Sequence, residues 1–99
     1  MKNHYIYKKT YSPSGKFYYG YHYGILQTDK ITGNNCGISI FQDGYTGSGT
    51  AQTLYEQSNL YETVTMEKIL EYNYECLARY METIIIKESR NDPRSLNRT

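Results

Sequence analysis

Two tyrosine-rich runs facing each other across a short turn constrain this chain more than any other feature. Residues 3–11, Asn-His-Tyr-Ile-Tyr-Lys-Lys-Thr-Tyr, are mostly aromatic, β-branched or long side chains that suit the pleated surface of a strand. Ser12-Pro13-Ser14-Gly15-Lys16 follows, where proline presets φ and glycine admits a positive φ. Phe17 to Tyr23 then returns with the same character, and the three segments together predict an antiparallel hairpin.

The rest of the chain supplies fewer and weaker signals. Gly24 to Gly49 holds six of the eight glycines and has no helical period. Within it, Gly37 to Gln42 reads either as a short extra strand or as a loop anchored by Phe41. Thr50 is a candidate cap for a short helix through Ser58, with Leu54 and Tyr55 on its apolar side. Val64, Met66, Ile69 and Leu70 predict a third strand over about residues 62–71, although Lys68 then shares a face with Val64 and Met66. Asn73 or a neighbour caps the longest helix, about residues 74–90. Its apolar stripe runs through Leu77, Met81, Ile84 and Ile85, with Glu82 off it, and Asp92-Pro93 ends it. The reading is one α/β (more narrowly α+β) domain over residues 1–99, with a three-stranded antiparallel sheet flanked by helices.

Composition excludes several classes. The apolar share is 38% with a mean hydropathy of −0.74, and no stretch approaches the roughly 18 apolar residues of a membrane span. The start, Met1-Lys2-Asn3-His4-Tyr5, lacks the apolar run of a signal peptide, so the expected compartment is cytoplasmic. Cys36 and Cys76 stand far apart without the four closely spaced ligands zinc requires, and read as free thiols. The net charge of +1 hides an asymmetry: +4 over residues 1–28, −5 over residues 43–88 and +2 from Ser89 onward. The basic beginning and end form a phosphate-facing surface if they meet in space; otherwise a basic sheet simply pairs with an acidic helix.

Tyr5-Ile6-Tyr7 and Tyr18-Tyr19-Gly20 stand on the two hairpin strands with the Ser14-Gly15-Lys16 turn between them. Asp43-Gly44-Tyr45-Thr46-Gly47-Ser48-Gly49 follows, and His22 lies two residues after Gly20. Lys68-Ile69-Leu70-Glu71, Leu77, Glu82 and Asn97 complete an ordered set over nearly the whole chain. This set resembles the GIY-YIG nuclease family, in particular its phage-encoded, homing-endonuclease-like branch. Two departures stand out: Tyr5 replaces the glycine of the first triplet, and no arginine lies between Gly20 and Arg79. Lys30 or an arginine of the tail is the candidate substitute for that missing cation.

The resemblance implies an endonuclease that hydrolyses phosphodiester bonds in DNA with one Mg²⁺ or Mn²⁺ ion. Glu82 would hold the metal, which takes oxygen ligands. Tyr7 would act as general base or position the attacking water, its phenol poised by the charges of Lys8, Lys9 and Lys16. Tyr18 and His22 would orient water or phosphate, Asn97 would fix the metal-side geometry, and the same three lysines would contact nucleic acid. A homodimer is the simplest way for so small a domain to cut two strands. The alternative is a catalytically silent relative that binds a protein or nucleic acid through its tyrosine-rich hairpin, such as a phage anti-defence inhibitor. The missing arginine and the small net charge favour it, because nucleic-acid affinity comes largely from phosphate neutralisation. Convergence of Tyr7, His22 and Glu82 on one cleft discriminates the two.

Overall fold

The hairpin forms where the tyrosine runs predict it. The computed structural model describes residues 1–35 and 37–97, and in it strand β1, Asn3–Ser12, pairs antiparallel with β2, Phe17–Gly24. The Gly15 amide closes the turn on the Tyr11 carbonyl at 2.8 Å, and Gly15 adopts a φ of 77°, which side-chain-bearing residues rarely adopt. The register sets Tyr5 opposite His22, Tyr7 opposite Gly20 and Lys9 opposite Tyr18. These six therefore share one face of the sheet.

Two further strands follow, β3 at Lys30–Asn34 and β4 at Thr63–Tyr72, in a four-stranded antiparallel sheet of order β2-β1-β4-β3. The predicted three-stranded sheet is thus one strand short. Lys-Ile-Thr-Gly-Asn carries a single large apolar residue and a glycine, so an edge strand of this composition has almost no signal beyond alternation. The segment from Gly37 to Gln42 is a loop, tied to Leu26 by an isolated bridge from Phe41, whose ring is fully buried. The awkward position of Lys68 in β4 is resolved at the surface, where its ammonium reaches Asp29 at 3.6 Å and Glu71 at 3.5 Å.

Helix α1 spans Thr50–Ser58 and helix α2 spans Glu75–Ser89. Neither has the cap the sequence predicts. Gly49 and Tyr74 occupy the N-cap positions without side-chain cap bonds, and the Asn73 carboxamide instead accepts from Asn3 at 3.3 Å. α2 packs against β2, β1 and β4, but on a different stripe from the predicted one. Ala78 and Ile86 are buried while Leu77 is exposed, because a small residue lets the helix approach the sheet closely. Glu82 stands midway between Ala78 and Ile86 at helical spacing, so it lies on the packing face rather than off it.

The two largest apolar clusters are built on one face of β1, while Ile6, also fully buried, lies on the other. Tyr5, Tyr7, Ile40, Phe41 and Met66 form one cluster, and Tyr11, Val64 and Leu96 a second. Each large side chain so buried contributes roughly 1.5–3 kcal/mol. After α2 the chain returns to β2, where Phe17 donates to the Arg94 carbonyl at 3.0 Å and Leu96 donates to Phe17 at 2.8 Å. Among the described residues no helix is long and apolar enough to cross a membrane. Cys76 is exposed, while Cys36 lies outside the described residues.

Candidate functional site

Gly20 makes the arrangement possible. Tyr7 sits opposite it, and a Cβ on Gly20 would fall inside the Tyr7 hydroxyl and ring. Only glycine lets the Tyr7 side chain lie across β2. The Tyr7 ring packs edge-on against Phe41 and Tyr45, each with centroids 6.1 Å away, and is 0% exposed. Burial pushes its phenol far above the ordinary tyrosine range, and the neighbouring Tyr45, Tyr18 and Glu82 push in the same direction. That direction disfavours Tyr7 as the general base, because a phenol buried in this way holds its proton more firmly than one in water.

Tyr18 is half-buried, and burial raises its phenol too, with Tyr45 and Glu82 adding to the effect. Glu82 thus lies within the field of Tyr7 and Tyr18, and also of Tyr21. Its own side chain is 20% exposed, and burial raises its carboxyl while Arg79 pulls it down. The Arg79 guanidinium stands 3.8 Å from that carboxylate and stacks 4.1 Å over the Tyr21 ring. Of the expected substitutes for the missing arginine, Lys30 sits on β3 at the opposite edge of the sheet from β2, and Arg94 is held in a fork by Asp92 at 2.9 and 3.1 Å. Arg90 lines a cleft together with Glu82, and Arg98 lies outside the described residues.

His22 takes its place through different partners. Its Nε2 lies 2.8 Å from the Asp43 carboxylate, and its ring stacks on Tyr45 with centroids 3.8 Å apart and planes within 4°. The Tyr45 amide donates to Asp43 at 3.0 Å; this bond and then the one to His22 hold the Asp43 carboxyl below its ordinary range. Tyr45 consequently connects the His22–Asp43 pair on one side to Tyr7 and Tyr18 on the other. The structure gathers Tyr7, Tyr18 and His22 on one sheet face with Asp43 and Tyr45, and on α2 it pairs Glu82 with Arg79; the partners the sequence reading does not name are Asp43, Tyr45 and Arg79. Those three had visible but unused signals: a place inside the Asp-Gly-Tyr segment, and a spacing of three before Glu82 on a helix.

Two other expected site residues belong elsewhere. Lys9, expected to contact nucleic acid, is only 2% exposed. Its ammonium is 2.5 Å from Glu56 and 2.7 Å from the Thr46 carbonyl, so it ties α1 and the glycine-rich loop to β1. Asn97, expected on the metal side, spends its amide on the backbone of Tyr19, donating at 2.8 Å and accepting at 2.9 Å. It extends the edge of β2 as another strand residue would. Lys8 and Lys16 remain accessible. The Lys8 ammonium lies 5.1 Å over Phe17 and 5.5 Å over Tyr19, and the Arg94 guanidinium 6.0 Å over Phe17, so the basic start and basic tail do meet.

Among the described residues no three histidine, cysteine, aspartate or glutamate side chains cluster as a metal cage. Glu82 offers a single carboxylate. A carboxylate is the hard oxygen donor that Mg²⁺ takes, together with several waters and a substrate phosphate. Set against models of protein families, curated proteins and solved structures, the chain matches none.

Proposed function

We propose that this protein is a metal-dependent endonuclease acting on phosphodiester bonds in DNA, of the GIY-YIG kind its motifs resemble. The observation that supports this reading best is Glu82: an ionisable side chain placed on the packing face of α2, paired with Arg79 and near enough to three tyrosines to raise their phenols. A carboxylate there costs stability, and retaining one points to a task. Bound by Glu82 and the substrate phosphate, Mg²⁺ or Mn²⁺ would polarise the phosphorus–oxygen bonds.

The protein's own groups divide the remaining work. With Nε2 donating to Asp43, the Nδ1 lone pair of His22 is free to accept the proton of an attacking water. Asp43 and the Tyr45 ring fix the imidazole's tautomer and plane. Arg79, exposed and stacked on Tyr21, neutralises the charge that develops on the phosphate. Tyr18 donates a hydrogen bond to the phosphate or its water, since its raised phenol stays protonated. Tyr7 is fully buried and positions Tyr45 rather than touching substrate. Nicking of supercoiled plasmid, with Mg²⁺ or Mn²⁺ against EDTA, tests the reading. Metal-dependent nicking lost in Glu82→Gln and strongly reduced in His22→Ala is expected; full activity in Glu82→Gln refutes it.

A second reading, a silent protein-binding relative, is favoured by one observation. Along α2 and its N-cap residue, Tyr74, Leu77 and Tyr80 are left exposed at spacings of three. A folded protein that cuts no plasmid under any metal condition would support that reading.

A further inference from the structure

A cleft of about 510 Å³ opens beside Tyr18, between the first turn of α1 and the end of α2. Leu54, Ile86 and Leu96 give it apolar walls, and the Tyr18 side chain closes one side. Ile86 also borders a second cleft of about 450 Å³, lined by Glu82, Thr83, Lys87 and Arg90. The two clefts adjoin at that side chain. An apolar slot thus neighbours Glu82 and two cations. Among the described residues neither Lys87 nor Arg90 forms an ion pair, unlike Arg79 and Arg94.

We propose that these adjoining clefts bind one unpaired nucleotide of the substrate strand, its base in the slot and its phosphate on Lys87 and Arg90. The inference rests on the nuclease reading and names its substrate class: DNA with a single-stranded or branched region. A base has an apolar face for Leu54, Ile86 and the Tyr18 ring, and polar edges that need partners. The slot supplies those at the start of α1, where Thr50 adds a hydroxyl and the first-turn N–H groups have neither a side-chain cap nor an acidic neighbour. A phosphate next to the base meets positive charge on the far side of Ile86. A base inside an intact duplex cannot enter without unstacking, so the cleft selects unpaired substrate.

The test is direct binding, measured by anisotropy of a labelled oligothymidylate and a blunt duplex of equal length, in EDTA so that nothing is cut. Wild type is expected to bind the single strand more tightly. Ala51→Phe fills the slot from the α1 wall and is expected to weaken single-strand binding about tenfold, the loss of one stacked base, with little change for duplex. Leu54→Glu, at an exposed position that tolerates charge in the fold, is the companion variant if Ala51→Phe melts early. Charge reversal at Lys87 and Arg90 together should weaken binding and flatten its salt dependence. Equal binding of both forms by wild type, or unchanged single-strand binding in both slot variants, overturns the proposal. Single-strand binding that responds to the slot variants, without nicking, leaves the cleft standing and removes the nuclease reading. Nicking with unresponsive binding does the reverse.

Discussion

Replacing Glu82 by glutamine should make the protein more stable while ending its proposed activity. Burial outweighs the pull of Arg79 and raises the Glu82 carboxyl above its ordinary value of 4.5. Below that value the carboxyl is protonated in both folded and unfolded chains and costs nothing. As pH rises through the folded value, the folded chain must carry the charge in its packing face, and the whole cost is present at neutral pH. Glutamine has the same shape without the charge. With the side chain 20% exposed, the gain at pH 7 is on the order of 1 kcal/mol. In a domain of this size that raises the melting temperature by about 4–8 °C. Thermal unfolding followed by circular dichroism at several pH values checks it. The advantage of Glu82→Gln should shrink and vanish as pH falls below the ordinary glutamate range. A variant less stable than wild type at pH 7, or a difference constant with pH, refutes the claim that this carboxylate is held against the preference of the fold.

Three more outcomes follow from the same geometry. Gly20→Ala should destabilise by roughly 1–3 kcal/mol in urea unfolding, because its methyl displaces the buried Tyr7 ring. Lys9→Met should cost about 3 kcal/mol by leaving the Glu56 carboxylate without its ammonium, while nucleic-acid affinity measured by anisotropy stays unchanged. Tyr7 and Tyr11 are both raised, mainly by burial, so the stability gained by keeping them neutral is full below the ordinary value of 10.0 and is lost as pH rises above it. Ultraviolet titration should show these two ionising only as the chain unfolds, and smooth ionisation of all the tyrosines in a folded protein would contradict this.

Local pattern made the hairpin, β4 and both helices legible, since a proline–glycine turn and periodic apolar residues are properties of neighbouring residues. What stayed hidden depends on distant ones. β3 exists because β4 offers it an edge, not because Lys30–Asn34 favours a strand. The buried face of α2 was misplaced because Leu77 and Ile84 outweigh Ala78 by hydropathy, whereas close approach to a sheet rewards the smaller residue. That error placed Glu82 among solvated residues and concealed the best argument for its role. Lys9 shows the reverse case. A lysine on a strand reads as a surface cation until Glu56, on the next helix but far along the chain, arrives to pair with it. Tyr7, Tyr18 and His22 were nameable from motif order, but their division of labour required burial and partners. Burial raises the very phenol the motif order nominates as a base, a property no local pattern shows.

The central claim, that α2 keeps a charged glutamate on its packing face to hold a metal ion, is tested most directly by Mn²⁺ titration watched by nuclear magnetic resonance. Paramagnetic broadening reports even weak, partly hydrated binding. Amide signals of Ala78, Glu82 and Ile86 and those around Tyr18 should broaden first, and Glu82→Gln should abolish the effect. Broadening confined to other carboxylates, or unchanged in Glu82→Gln, would contradict the account.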